Sequence, residues 1–335
     1  MRRSRSSRVA LLALAGSAAG LCAAVPAASA QAIGRPQGAE FLLLPVGAQA
    51  TALGQAAAAA GGTTEAIFWN PAGLAALPRG EFAVHHFNAF FGAGDAIALA
   101  LRSPRLGTVA VAAYVVDYGD MELTPPDGGP VSLGRITPRN IALALSYGTD
   151  VGAGAAIGVT YKLVQFRVDC SGDCANVPAA VGTTHAVDVG LRYAPAALPI
   201  VLGASVRNLG FPLQVQNSAQ ADPLPTRLSV GVAYEVVRTR DGDAERFDVR
   251  VLADVQGSVG RGGFSPVTLV GVESGVGDLV RLRGGYAFTE SAAKGPSIGL
   301  GMALGSLAID LARVFFASDD LGEKEPFHVS FRATF

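Results

Sequence analysis

The residues that most often carry chemistry are few in this chain, and they do not form known catalytic motifs. The four histidines are His85, His86, His185 and His328, and none lies in an H-E-x-x-H pattern. The G-x-S-x-G pattern occurs once, as GPSIG at 295–299, but it lies in a predicted strand and not at the strand-to-helix turn that a nucleophile motif requires. The glycine-rich stretch 260–264 precedes no predicted helix that would turn it into a phosphate cradle. We therefore expect no enzymatic activity, no metal site and no cofactor.

Two cysteines lie close together in the stretch CSGDC, at Cys170 and Cys174. In an exported protein this spacing favours a disulfide that closes a small loop. A metal site would need further ligands, and no histidine lies near these cysteines in the sequence. The oxidation state of the pair is not determined by the spacing alone.

The first residues have the features of an export signal. The stretch MRRSRSSR is basic, an apolar stretch follows, and the small residues Ala28-Ser29-Ala30 precede Gln31. This order predicts a signal peptide over residues 1–30, cleaved before Gln31.

Charge and hydrophobicity exclude several classes of protein. The full chain has 26 basic and 27 acidic residues. Residues 1–30 hold four of the arginines and no acid, so 22 basic residues face 27 acidic ones in the remainder, a net charge of −5. No basic patch suggests a nucleic-acid partner. Half of the residues are hydrophobic, yet after residue 30 there is no run of about 18 apolar residues. A soluble β-domain and a membrane β-barrel remain.

Beyond residue 80 the chain alternates between apolar and polar or small residues. In 226–237, for example, the even positions from Leu228 to Val236 are apolar, while the odd positions carry Arg, Ser, Gly, Ala and Glu. This period of two is typical of strands with two different faces. The pattern predicts 14 strands, near 81–88, 94–102, 106–117, 138–148, 151–166, 185–194, 199–208, 226–237, 245–256, 266–275, 278–288, 296–304, 306–316 and 326–335.

The connections between these strands are sorted by length. Short turns follow every second strand: SPRLG, YGTDVG, APAALP, RTRDGDAE, SGVGD and ALGSL. The intervening connections are mostly long, as in 119–136 and 209–225, and the hairpin at AFFGAG is the short exception. Outer-membrane barrels have short periplasmic turns and long outer loops. This alternation of short and long connections therefore predicts an antiparallel outer-membrane β-barrel of about 14 strands, over 80–335.

The polar faces of the strands are rich in Gly, Ala and Ser, which suits a confined lumen. A soluble β-sandwich, the alternative, would show Lys, Glu and Thr on its solvent face. The charges expected to face the lumen, and to pair there, are Lys162, Arg192, Arg207, Asp248, Arg250, Asp254, Arg281, Arg283 and Arg332.

Residues 31–79 do not alternate and form a separate segment. In it Asn70 is placed to cap a helix that begins at Pro71. Phe68, Trp69 and the neighbouring leucines would form an exposed apolar patch on a surface helix. Folding the segment into the barrel lumen would bury them, so we expect 31–79 to be a partly helical plug, here called the hatch.

The last strand alternates phenylalanines with polar residues and ends the chain at Phe335. A terminal aromatic residue on the final strand resembles the signal read by the outer-membrane assembly machinery. Outer-membrane lipid and this machinery are therefore expected partners.

Several separate stretches resemble the PorV/PorQ family of outer-membrane proteins. They are LLLPVGAQATALGQAAAA, AIFWNPAGLA, DVGLRYAP with LGASVRNLG, and LPTRLSVGVAY. This family is itself similar to the FadL-type transporters of long-chain fatty acids. The resemblance implies a 14-stranded barrel with an N-terminal hatch in the lumen. It places Asn70, Pro71, Ala72 and Gly73 in that hatch.

Two functions are compatible with such a barrel. In a transport barrel, a hydrophobic small molecule enters from the outer face and a hatch movement releases it. The candidate ligand contacts would then be Phe68, Trp69, Phe90, Phe91 and Phe211. In a docking barrel, the outer loops hold a protein partner of a type IX-like secretion and surface-attachment system, as the resemblance to PorV implies. The loop composition does not decide between them.

Overall fold

A computed structural model gives the architecture of the chain. It describes residues 37–89, 92–124, 133–174, 180–215, 221–239, 247–259, 265–277, 279–289, 295–315 and 326–335. The predicted signal peptide, Phe90 and Phe91 lie outside these residues. No helix among them is long and apolar enough to cross a membrane.

Fourteen long strands form one closed antiparallel barrel. Neighbours in the sheet are neighbours in the chain, and the first strand pairs with the last, with Glu81 opposite Thr334. The barrel strands are β1 Glu81–Ala89, β2 Gly92–Ser103, β3 Gly107–Asp117, β5 Gly134–Gly152, β6 Ala155–Gly172, β7 Ala180–Tyr193, β8 Ile200–Gly210, β11 Arg227–Arg238, β12 Phe247–Ser258, β13 Pro266–Val276, β14 Val280–Phe288, β15 Gly295–Leu304, β16 Leu307–Val314 and β17 Phe327–Thr334. The predicted fold class and strand number are confirmed.

The two ends of the barrel differ, as the turn lengths predicted. At one end, here the short-turn end, hairpins such as 153–154 and 305–306 are tight, and the backbone N–H of Phe335 donates to Gly80 O at 3.0 Å. At the other, the long-loop end, the connections carry three short strands: β4 Met121–Leu123, β9 Leu213–Gln214 and β10 Ala221–Asp222.

The longest hairpin differs from its predicted bounds. β5 and β6 have 19 and 18 residues and extend further toward the long-loop end than expected. At the short-turn end, β5 continues through a bulge between Asp150 and Gly152, so the stretch expected to turn is strand. The turn is made by Ala153 and Gly154, both with positive φ (54° and 81°). Two-residue hairpin turns that match the strand twist require positive φ.

The outer face of the barrel carries apolar side chains, and its inner face carries small or polar ones. In β11, Val230 is 54% exposed and Tyr234 46%, whereas the alternating Ser229 and Ala233 are 4% and 2% exposed. A closed barrel leaves no sheet edge unpaired, so such a belt of apolar side chains can face lipid.

The hatch consists of four short helical segments. They are a 3₁₀ helix Glu40–Leu43, α1 Ala48–Ala52, α2 Ala66–Trp69 and a 3₁₀ helix Pro71–Ala76. The main core of the molecule lies between these segments and the inner barrel face, where Phe41, Leu53, Ile67, Leu74 and Leu77 have at most 2% of their surface exposed.

Candidate functional site

The Asn-Pro-Ala-Gly element ties the hatch to itself and to the wall. The Asn70 side chain accepts from the Ala72 N–H at 3.1 Å, and Pro71 is the first residue of the 3₁₀ helix. This is the capping arrangement expected from the sequence. The Asn70 amide donates to Ala58 O at 2.6 Å within the hatch and to Leu191 O on β7 at 3.0 Å. One residue therefore ends α2 through its backbone N–H, and its side chain caps the next helix and is hydrogen-bonded to the wall.

Glycines on the inner face let the hatch backbone lie directly against the barrel wall. A methyl group on Gly285, for example, would overlap the backbone of Leu53 and Gly54, and one on Gly203 would overlap Ala58. We call this set the glycine collar: Gly148, Gly158, Gly190, Gly203, Gly271, Gly285 and Gly299. The Gly-rich inner faces noted in the sequence are thus explained by the close approach of a second backbone.

Hydrogen bonds with wall side chains satisfy hatch backbone groups at the helix ends and in the connection between α1 and α2. Asp254 accepts from the Ala58 N–H at 2.7 Å, and Ser330 accepts from the Ala48 N–H at 2.8 Å. Arg207 donates to Phe68 O at 2.9 Å. Buried backbone groups are costly when unpaired. These wall side chains therefore fix the height and rotation of the hatch.

Below the collar, toward the short-turn end, charged side chains form a chain of ion pairs across neighbouring strands. We call it the ionic ladder: Arg250–Glu273 at 2.9 Å, Glu273–Arg283 at 2.6 Å, Arg283–Asp310 at 2.6 Å, Asp310–Arg332 at 2.7 Å and Arg332–Glu81 at 3.5 Å. Its last acid, Glu81, also accepts from Thr64 N–H of the hatch at 2.7 Å. Three of the predicted inward arginines, Arg250, Arg283 and Arg332, thus pair as expected. Their partners Glu273, Asp310 and Glu81 were not identified from the sequence.

Glu65 is a buried hatch acid next to this ladder. Its carboxylate accepts from the N–H groups of Gln49 at 3.2 Å and Ala50 at 2.9 Å, and so caps α1. Burial, and secondarily the nearby Asp310, raises the pKa of Glu65 from 4.5 to about 7. The protonated form is therefore substantially populated near neutral pH.

On the long-loop side of the hatch lies a pocket, here called the outer pocket. Phe68, Trp69, Leu42 and Tyr114 form apolar walls, and Lys162 and Arg207 line the remainder. Both cations already have partners, because Lys162 pairs with Asp188 at 2.6 Å and Arg207 donates to Phe68 O. The arrangement suits an apolar ligand.

Trp69 makes two directional contacts in this pocket. Its indole N–H donates to Val46 O at 2.9 Å, and the Arg207 guanidinium lies 4.9 Å from the ring centroid. Phe68 packs edge-on against Tyr114, with ring centroids 6.3 Å apart. Tyr114 is an inward aromatic residue in an Ala- and Val-rich strand, a signal that the sequence analysis did not use.

The other predicted site residues are distributed over the molecule. Phe211, at the long-loop end, is 73% exposed and does not line the outer pocket. Phe335 is 62% exposed. Cys170 and Cys174 form a disulfide. In the described part of the chain, no group of His, Cys, Asp and Glu is arranged to hold a metal ion.

Comparisons with known proteins support the fold only at the level of structure. No protein-family model and no curated protein sequence matches the chain. Among solved structures, the monoaromatic hydrocarbon channel CymD matches with a TM-score of 0.56 at 14% identity, over 88% of this chain and 98% of that one. The toluene transporter TodX of P. putida matches with a TM-score of 0.54 at 12% identity, over 86% and 98%.

The toluene transporter TbuX of Ralstonia pickettii matches similarly, with a TM-score of 0.53 at 14% identity, over 86% and 98% of the two chains. These neighbours are outer-membrane transport barrels of the FadL type. At such low identity, the likeness shows only that this chain shares their β-barrel fold.

Proposed function

We propose that this protein lies in the outer membrane of a Gram-negative-type bacterium and passes a small hydrophobic molecule through its plugged barrel. The observation that carries the proposal is the outer pocket, which has aromatic and aliphatic walls formed jointly by hatch and barrel. Pockets of this composition bind apolar ligands by removing their surface from water. The neighbours described as toluene and monoaromatic transporters support the same class of ligand.

Fluorescence tests ligand binding directly, because Trp69 is the only tryptophan in the chain and lines the outer pocket. We expect toluene to change the emission of the purified protein along a saturable curve. Ala144→Phe should fill the pocket, which Ala144 also lines, and weaken binding about tenfold or more. Phe211→Ala is the matched control and should retain binding within about twofold, since Phe211 lies away from the pocket.

An emission change that grows linearly with toluene, and equally in Ala144→Phe, would indicate simple partitioning into detergent and would refute the proposal.

Membership of the PorV/PorQ family and a docking role in secretion form the second candidate. It is favoured by the sequence motifs around Asn70 and by the exposed Phe211 on the outer loops. A stoichiometric protein partner that copurifies with the barrel, without any saturable toluene binding, would favour docking.

A further inference from the structure

A second cavity lies within the hatch, on the opposite side of Trp69 from the outer pocket. We call it the inner cavity. Its walls include Ala50, Ala57, Gly61 and Glu65. Among the described residues, Trp69 is the only one that lines both spaces. The indole is therefore the partition between them.

The inner cavity lies toward the short-turn end. Gly61 in its wall lies against the Arg192 side chain, which is one residue before the end of β7 at that end. Thr64, beside the cavity, is bonded to Glu81, the first residue of β1. The outer pocket, by contrast, includes Tyr114 and Ala142, which lie toward the long-loop ends of β3 and β5. The two spaces are thus successive along the barrel axis.

The hatch backbone and the Trp69 side chain are held very differently. A shift of the backbone would break wall hydrogen bonds at Ala48, Ala58 and Thr64 together, in a region of low dielectric constant. Rotation of the indole breaks one hydrogen bond, to Val46 O, and one cation–π contact, with Arg207. The indole packs against Ala50 and Ala57 of the inner cavity, whose side chains are only methyl groups. Gln49, Leu53, Thr63 and Glu65 form the larger side chains of the cavity wall.

We propose that Trp69 is the gate of the transport route: its indole rotates to join the outer pocket to the inner cavity while the hatch backbone stays in place. This rests on the proposed function and differs from the hatch movement expected from the sequence. The gate makes residue 69 the determinant of solute size. Single-ring hydrocarbons pass the rotated indole, whereas fused-ring compounds are retarded.

The test measures uptake of labelled toluene and naphthalene by cells that carry each variant in the outer membrane. A disulfide tether between Ala52 and Ala312, which pack together between hatch and wall, is introduced as Ala52→Cys with Ala312→Cys. We expect tethered cells to take up toluene at the wild-type rate, with or without reductant. Trp69→Ala should raise the naphthalene-to-toluene rate ratio about tenfold, and Trp69→Phe by less, because each opens the partition further.

A third variant, Ala57→Phe, fills the inner cavity next to Trp69. It should block uptake but keep toluene binding in the outer pocket, read from Trp69 emission. Uptake lost on tethering and restored by reductant would show that the hatch itself must move, and would overturn the gate while leaving the proposed function intact. An unchanged rate ratio in both Trp69 variants would overturn it as well.

Failure of the proposed function gives a different result, namely wild-type uptake no greater than that of cells without the protein. In that case, toluene uptake gained only by Trp69→Ala would still establish Trp69 as the partition. No gain in that variant would refute the gate.

Discussion

The lumen has two levels that are built on different principles. At the hatch level, glycines and polar wall side chains meet the hatch backbone directly, and the ionic ladder runs beneath it. At the level of the outer pocket, side chains meet side chains, as in the packing of Phe68 and Phe41 against Tyr114. Backbone groups bonded at fixed positions cannot slide without losing several bonds at once, whereas packed apolar side chains can repack at small cost. The comparison indicates that the hatch level is rigid and the pocket level adaptable.

The largest expected effect comes from the centre of the ionic ladder. Asp310 is 1% exposed and accepts from both Arg283 and Arg332. Asp310→Asn leaves buried positive charge uncompensated, so we expect a loss of about 3–5 kcal/mol in the free energy of unfolding. Urea titration of the refolded barrel measures this loss.

The matched control is Asp95→Asn, because Asp95 is 66% exposed in its pair with His86. This substitution should lower the free energy of unfolding by about 1 kcal/mol or less. Equal losses would show that the ladder does not stabilise the hatch level.

The pH dependence of the hatch should follow Glu65. Because burial raises its pKa from 4.5 to about 7, the folded state binds a proton more tightly than the unfolded state does. The resulting stabilisation is full below pH 4.5 and is lost as the pH rises through 7, and amounts to about 3 kcal/mol. Hydrogen exchange at α1, compared between pH 5 and pH 8, should show the loss.

Glu65→Gln removes the titrating carboxyl group. Hydrogen exchange at α1 in this variant should therefore not show the loss of protection between pH 5 and pH 8. Glu40→Gln, at the exposed acid of the first hatch helix, is the control and should keep the wild-type slope. A wild-type slope in Glu65→Gln would assign the transition to another group.

A smaller effect is expected from a single methyl group on the collar. Gly284 and Gly285 are adjacent on β14 but face opposite sides of the barrel. A methyl on Gly285 would overlap Gly54, whereas one on Gly284 has its nearest neighbour at 3.9 Å. We expect Gly285→Ala to cost about 1–3 kcal/mol and to raise ion leakage in planar bilayers, while Gly284→Ala changes stability by about 0.5 kcal/mol or less. Identical behaviour would mean that the hatch adjusts freely, contrary to the rigid level described above.

The residue types alone predicted much of the candidate site, but they did not predict which residues contact each other in it. The burial of Phe68 and Trp69 follows from their position beside the cap formed by Asn70, since such a patch needs cover. That Arg207 lies over Trp69 does not follow, because the two residues are far apart in sequence and meet only through the fold. Phe211 shows the opposite case, in which an aromatic residue of suitable type lies outside the pocket.

The sequence alone determined the features that depend on local periodicity and local geometry. Alternation with period two defines strands and their lipid-facing side, turn lengths sort the two ends, and Asn70 with Pro71 starts a helix. Strand register and the path of the hatch decided the rest: which arginine meets which acid, which glycine meets the hatch backbone, and which two spaces Trp69 divides. Those contacts join residues distant in the chain, and only closure of the barrel brings them together.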